Sequence, residues 1–217
     1  PPGQGVAVSR VLGMRPCRPS CVVARGIHRR TVPPYLLRGA ALLPPDGQLW
    51  LCAGAPDTAE SMAEVRAGVA ELQQTRTGVV WIEEMLSRHD LSAVLTAATT
   101  FVCPSIYEPL GIVNLEAMAC ETAVVATHTG GIPEVVDDGV TGLLVPFEPR
   151  GDGTRDPIDP RRFAQDIADR VNALLADPAR AKNMGEAGRR RAVENFGWRA
   201  IATETVALYE QLTARAP

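Results

Sequence analysis

The sequence predicts an α/β protein built on a doubly wound parallel sheet, and three observations support this prediction. Short, continuously apolar segments alternate with segments of helical periodicity, as expected for strands that crossover helices bury on both faces. The chain is 46% hydrophobic but only 5% aromatic, which is typical of an Ala-, Val- and Leu-rich α/β protein. Its 217 residues suffice for one sizeable domain or one and a half.

The predicted strands and helices alternate along most of the chain. Short apolar runs predict strands over 21–24, 48–53, 79–82, 100–103, 123–127 and 142–145. Helical periodicity predicts helices over 34–43, 58–75, 89–98, 111–120 and 132–136. We expect two of these helices to pack on the sheet through apolar faces formed by Met62, Val65, Val69 and Leu72 and by Leu91, Val94 and Leu95.

Both ends of the chain depart from this alternation. Residues 1–20 follow neither period and contain many Pro and Gly residues, so they are predicted to form an irregular tail. The chain begins at Pro1 and not at Met, so one interpretation is a fragment of a longer protein. After a Pro-, Gly- and Asp-rich loop, helices are predicted over 160–176, 178–195 and 198–215, with apolar stripes formed by Phe163, Ile167, Val171 and Leu174 and by Ile201, Thr205, Leu208 and Leu212.

Charge and composition argue against several classes of function. The net charge of -3 gives no reason to expect binding to nucleic acid or to an anionic membrane surface. No apolar run approaches the roughly 18 residues of a membrane-spanning helix, and the N-terminus does not resemble a signal peptide. Lys182 is the only lysine, which excludes a Walker-type phosphate loop. Any basic side chain that reaches a phosphate here must therefore be an arginine.

The five cysteines are scattered and form no CxxC motif. Cys17 and Cys21 could form half of a metal site, but no second pair and no histidine cluster accompanies them. We therefore predict no metal site and interpret the cysteines as thiols in a reducing, cytoplasmic environment.

The most informative stretch is 105–120. The apolar run 100–103 ends in a turn, Pro104 and Ser105, and a helix is predicted to begin near Gly111. The first N–H groups of a helix carry a partial positive charge and bind anions, and a glycine allows close approach. The carboxylates of Glu108 and Glu116 lie on either side of this helix start. Together these features suggest a nucleotide-sugar site, where N–H groups hold a diphosphate and the carboxylates accept hydroxyl hydrogen bonds.

Glu108 and Glu116, with seven residues between them, resemble the paired-glutamate motif of the retaining glycosyltransferases of family 4. Thr129-Gly-Gly-Ile-Pro-Glu134 and Gly139-Val-Thr-Gly-Leu-Leu144 continue the pattern of the same family in order. The segment 34–147 is similar to the donor-binding, C-terminal half of a bacterial glycogen synthase of the actinobacterial type. The resemblance implies one half of a two-domain glycosyltransferase. The domain organisation that it implies is a Rossmann-like nucleotide-sugar-binding domain over 21–147, a loop over 148–160 and helices over 161–217 that complete the domain.

The resemblance also implies roles for individual residues. Glu108 becomes the candidate catalytic residue, in contact with the transferred sugar and not acting as a nucleophile. Glu116 is implied to contact the ribose hydroxyls. The other implied donor contacts are the backbone N–H groups of Leu110, Gly111, Ile112 and Val113, with Thr129, Gly130 and Gly131 lining the sugar pocket.

Each of these residues also has an ordinary structural interpretation. A helical glutamate such as Glu116 usually faces solvent, and an acidic residue in a loop, such as Glu108, is common. A Gly-Gly pair is often only a tight turn. His128 could act as a base, but a loop histidine without a partner is more often incidental.

The basic loop after the first predicted strand allows two alignments. The family pattern has an arginine and, five residues later, a lysine, both of which hold the diphosphate. Arg25 and Arg30 have this spacing, with arginine in place of lysine. An ungapped alignment from Pro34 instead places Gly26 and Thr31 at these positions, so that both charges are lost.

The expected function is binding of a nucleotide sugar, with ADP-glucose preferred, for retaining transfer of glucose to an α-glucan or glucose-phosphate acceptor. No cofactor is expected. The acceptor would bind through an N-terminal domain that this sequence lacks, so the chain alone is expected to be inactive. Its last helix, lacking that domain, is expected to self-associate. The alternatives are a non-catalytic nucleotide-binding remnant, or an epimerase or phosphorylase of the same fold. The sequence does not choose between ADP, UDP and GDP.

Overall fold

The computed structural model of the chain describes residues 21–24, 34–45, 47–52 and 59–214. The predicted tail 1–20 lies outside the described residues. So does the basic loop 25–33, which contains both Arg25 and Arg30. The described residues therefore do not distinguish between the two alignments of this loop.

The predicted doubly wound parallel sheet is confirmed. Its strands lie in the order β3-β2-β1-β4-β5-β6, and every pairing is parallel. They span Cys21–Ala24 (β1), Gln48–Leu51 (β2), Val79–Trp81 (β3), Thr100–Cys103 (β4), Ala123–Thr127 (β5) and Gly142–Val145 (β6). The strand order reverses between β1 and β4, and ligands of open α/β sheets bind at the carboxyl ends of the strands beside such a reversal.

The described helices follow the predicted alternation with the strands. They span Pro34–Ala40 (α1), Ala59–Thr75 (α2), Arg88–Ala97 (α3), Ile112–Ala119 (α4), Ile132–Val135 (α5), Pro160–Ala176 (α6), Pro178–Phe196 (α7) and Trp198–Ala214 (α8). No helix among the described residues is long and apolar enough to span a membrane.

The sheet separates two apolar cores because successive side chains of a strand point to opposite faces. Val22 and Ala24 of β1 belong to the first core, and Cys21 and Val23 belong to the second. Helices α1, α2 and α6 cover the first core, while α3, α4 and α5 cover the second. Helix α7 contributes to both cores, with Met184 in the first and Ala192 in the second.

The predicted boundaries differ from the structure at helix ends and at the ends of two strands, since β2 ends at Leu51 and β3 at Trp81. Helix α1 stops at Ala40, because the N–H groups of Leu42 and Leu43 bond to Gly39 and Ala40 in a tighter turn. Helix α3 begins at Arg88, one residue earlier than predicted. Ser87 caps it, and its hydroxyl accepts a hydrogen bond from the N–H of Asp90.

Helix α8 differs from the other long helices because none of its residues is buried. Its predicted apolar stripe is exposed, including Ile201, Leu208 and Leu212, and 87% of Trp198 is accessible. The helix packs on α7. Self-association through this face remains a prediction.

Candidate functional site

The candidate site begins where β4 ends, in the loop that leads into α4. Ser105 and Ile106 are buried and anchor the start of this loop. The Ser105 hydroxyl lies 3.4 Å from the thiol sulfur of Cys103. Burial raises the pKa of the Cys103 thiol to about 11. This thiol is therefore protonated near neutral pH and does not supply a nucleophile.

Helix α4 begins after Gly111, as predicted, but its first N–H groups are not all free. The Oε1 atom of Glu108 accepts a hydrogen bond from the N–H of Gly111 at 3.1 Å. Gly111 has φ +91°, a left-handed conformation that favours glycine. The N–H groups of Ile112 and Val113 have no acceptor among the described residues. The expected anion site therefore consists of these two groups, with the Glu108 carboxylate beside it.

The turn after β5 lies directly against this loop. The N–H of Gly131 donates to the carbonyl oxygen of Glu108 at 3.0 Å. A Cβ atom at Gly130 would lie 1.9 Å from that same oxygen, and one at Gly131 would lie 2.3 Å from the carbonyl oxygen of Pro109. Only glycine allows so close an approach. The structure thus brings together two segments that the sequence singled out separately.

The remaining predicted site residues lie around this junction. Ile112 is 63% exposed, and Leu110 and Gly130 are also exposed. The half-buried residues are Val113, Glu116 and Thr129. Arg25 and Arg30 lie outside the described residues, so their contact with the diphosphate stays a prediction. His128 is exposed and donates its backbone N–H to Val145.

Asn114 was not among the predicted site residues. Its side chain is completely buried on the same face of α4 as Ala117 and Met118. Neither amide atom makes a well-formed hydrogen bond within the described chain, although the amide lies close enough to Cys103 to oppose the rise in that thiol's pKa. Its position three and four residues before two apolar residues was a signal in the sequence that Asn114 points inward.

Tyr107 is a second residue of this region that was not predicted from the sequence. Its ring is 56% exposed, immediately before Glu108, and the guanidinium carbon of Arg155 lies 4.5 Å from the ring centroid. Within the described parts of the chain, no three His, Cys, Asp or Glu side chains cluster in a way that could hold a metal ion.

Comparison with known proteins finds a matching family over the middle of the chain. Residues 66–156 match the family described as "Glycosyl transferases group 1". This match covers β3, β4, β5 and β6 and both segments that form the junction around Glu108. Over this segment the chain is therefore similar to group 1 glycosyl transferases.

Individual relatives extend the match to nearly the whole chain. The chain is 48% identical over 213 residues to α-maltose-1-phosphate synthase of Mycolicibacterium smegmatis, covering 98% of this chain and 53% of the relative. Sucrose-phosphate synthase from Thermosynechococcus elongatus superposes with a TM-score of 0.75 at 35% identity, covering 97% of this chain and 50% of that one. The Anabaena protein HepE, solved in complex with UDP-glucose, superposes with a TM-score of 0.72 at 21% identity, covering 95% of this chain and 52% of that one.

The chain is thus homologous to these two synthases and has the fold of one Rossmann-like half of a two-domain glycosyltransferase. It spans about half the length of the curated relatives it matches.

Proposed function

We propose that this chain is the donor-binding half of a glycosyltransferase that transfers glucose from ADP-glucose with retention of configuration. The proposal rests mainly on one observation. The Glu108 carboxylate, the N–H groups that begin α4 and the turn at Gly130 converge at the carboxyl edge of the sheet. They lie beside the reversal of strand order, where α/β sheets bind their ligands.

The chemistry assigned to the start of α4 is stabilisation of the leaving group. As the bond between sugar and diphosphate breaks, negative charge develops on the departing diphosphate. Fixed N–H dipoles at a helix N-terminus stabilise such charge without having to reorganise. The N–H groups of Ile112 and Val113 are the candidates, since no other described group accepts from them.

Glu108 is assigned to the transferred sugar. Its Oε1 atom is held by the N–H of Gly111, which orients the carboxylate and leaves Oε2 to accept a hydrogen bond from a sugar hydroxyl. No protein nucleophile is assigned. Glu116, which lies in α4 and is half-buried, is assigned to the ribose hydroxyls.

The names of the relatives favour a sugar phosphate as the acceptor. α-Maltose 1-phosphate contains two glucose units, so its synthesis by glucosyl transfer requires glucose 1-phosphate as the acceptor. We extend this acceptor class to the present chain because it shares 48% identity with a synthase of that name. An α-glucan acceptor, as in a glycogen synthase, is the alternative. In either case the acceptor would bind mainly to a second half, of the kind that the relatives have outside the part that this chain matches, so we expect the chain alone to bind donor without transferring glucose.

Calorimetric titration of the chain with ADP-glucose, UDP-glucose, GDP-glucose and the free diphosphates tests the donor assignment. We expect ADP-glucose and ADP to bind. Glu116→Ala should weaken both by about 1–3 kcal/mol, the magnitude of hydrogen bonds to a charged group. Glu108→Ala should weaken ADP-glucose and spare free ADP. Glu71→Ala, an exposed substitution on α2, is the control.

Two outcomes would contradict this assignment. A folded chain that binds no nucleotide or nucleotide sugar would reject the donor function. Equal losses for ADP and ADP-glucose from Glu108→Ala would reject the separate roles of the two glutamates. Binding without transfer, even when the chain is joined to an acceptor-binding half such as that of the relatives, would instead favour a non-catalytic nucleotide-binding remnant.

A further inference from the structure

The segment between β6 and α6 forms an ordered arm, residues 148–158. Backbone hydrogen bonds join its two sides, from Arg150 N–H to the Asp156 carbonyl at 2.7 Å and from Ile158 N–H to the Glu148 carbonyl at 2.9 Å. At the tip, the Asp152 carboxylate accepts hydrogen bonds from the N–H and hydroxyl of Thr154. These bonds lower the pKa of Asp152. The arm is therefore built as a hairpin.

Two side-chain contacts fix the arm over the carboxyl edge of the sheet. The hydroxyl of Tyr35, in the first turn of α1, donates to Oδ1 of Asp156 at 3.3 Å. Burial, and then the Asp156 carboxylate, raise the pKa of Tyr35, so this hydroxyl keeps its proton. The second contact is the stacking of Arg155 on Tyr107. Tyr107 directly precedes Glu108, so the arm contacts the loop that carries the proposed site.

The charge of Arg155 is not neutralised within the described chain. No described carboxylate lies within ion-pair distance of its guanidinium, whereas Arg150, the other arginine of the arm, lies 4.0 Å from Asp152. Asp156, its neighbour in sequence, is held by Tyr35. Arg155 thus presents a cation without a counter-ion among the described residues, over the ring of the residue that precedes Glu108 in the chain.

The backbone of Arg155 is also strained. Its φ of +60° lies in the left-handed region, which a residue with a Cβ atom adopts at a cost. Glycine would suit this position better. Strain of this kind concentrates at functional sites, where the surrounding structure holds it in place.

From this geometry we propose that Arg155, whose guanidinium lies over the Tyr107 ring, binds a phosphate group of a substrate at the candidate site around Glu108. The contact with the Tyr107 ring uses none of the N–H donors of the guanidinium. Such a planar fork matches two oxygens of a phosphate. The inference rests on the proposed function, which offers two sources of phosphate: the diphosphate of the donor and the phosphomonoester of a sugar-phosphate acceptor.

Titration of the wild-type chain, Arg155→Gly and Arg150→Gly with ADP, ADP-glucose, glucose 1-phosphate, adenosine and glucose tests the proposal. The Arg155→Gly substitution relieves the strained φ, so the variant should fold at least as well as the wild type. We expect it to bind phosphate-containing ligands about tenfold more weakly, because a charge-assisted contact is lost. Arg150→Gly should bind them like the wild type. Rising salt should narrow the difference between wild type and Arg155→Gly.

The pattern of losses identifies the source of the phosphate. If Arg155→Gly loses affinity for ADP and ADP-glucose, Arg155 binds the donor diphosphate. If it loses affinity for glucose 1-phosphate, Arg155 binds the phosphate of the acceptor. Either result supports the proposal. Unchanged affinity of Arg155→Gly for every phosphate ligand overturns it, as does an equal loss for adenosine. If the folded wild type binds no nucleotide, the proposed function and this inference both fall. If it binds and Arg155→Gly does not differ from it, only this inference falls.

Discussion

Helices α4 and α8 both carry apolar residues at helical spacing, yet their surroundings are opposite. Helix α4 lies between β4 and β5 in the chain, and α7 covers it, so that Asn114, Ala117 and Met118 are completely buried. Helix α8 follows the last strand and buries none of its residues. Periodicity therefore identifies the apolar face of a helix but not whether the same chain covers that face.

The sharpest test of this contrast is a pair of matched truncations. Met118→Ala, in α4, should lower the free energy of unfolding by about 2–5 kcal/mol, because it leaves a cavity in a fully packed core. Leu208→Ala, on the exposed face of α8, should change it by less than about 0.5 kcal/mol. Urea unfolding followed by circular dichroism measures both. A cost above about 1 kcal/mol for Leu208→Ala would show that α8 is covered in solution.

A glycine exchange tests the close approach of the two loops at the candidate site. Gly130→Ala should cost about 3 kcal/mol, because the new Cβ would lie 1.9 Å from the Glu108 carbonyl oxygen and φ is +54°. Gly151→Ala is the control, since its Cβ would meet no atom within 4 Å. Unfolding in urea should separate the two variants clearly. Similar stabilities would mean that the loop after β5 yields easily and does not fix Glu108.

The buried amide of α4 gives a third, smaller effect of opposite sign. Asn114→Leu should raise the free energy of unfolding by about 1 kcal/mol, because it replaces polar atoms that lack well-formed hydrogen bonds with an apolar group of similar shape. Asn114→Asp should be destabilising, since it buries a charge at the same place. Thermal unfolding of the wild type, Asn114→Leu and Asn114→Asp ranks their stabilities. A destabilised Asn114→Leu would show that the amide makes a hydrogen bond that stabilises the wild type.

The sequence predicted the strands better than the contacts at the site. The bounds of β4, β5 and β6 match the prediction to the residue, because turn residues follow each short apolar run. The pairing of Glu108 with Gly111 was not predicted, because the direction of a loop side chain depends on the whole turn. The stacking of Arg155 on Tyr107 joins residues far apart in the chain, and neither has a local pattern that reports it.

The last and smallest effect concerns the exposed face of α8. An isolated helix of this length is marginally stable in water, and its apolar side chains favour contact with another surface. We therefore expect amides from Trp198 to Leu212 to exchange hydrogen faster than those of α4 in a dilute sample. With rising concentration, sedimentation should show weak association and exchange in α8 should slow. Leu208→Glu should abolish the association without altering exchange in α4. Slow exchange along α8 in a dilute monomer would instead mean that packing on α7 stabilises the helix by itself, and the need for a covering partner would disappear.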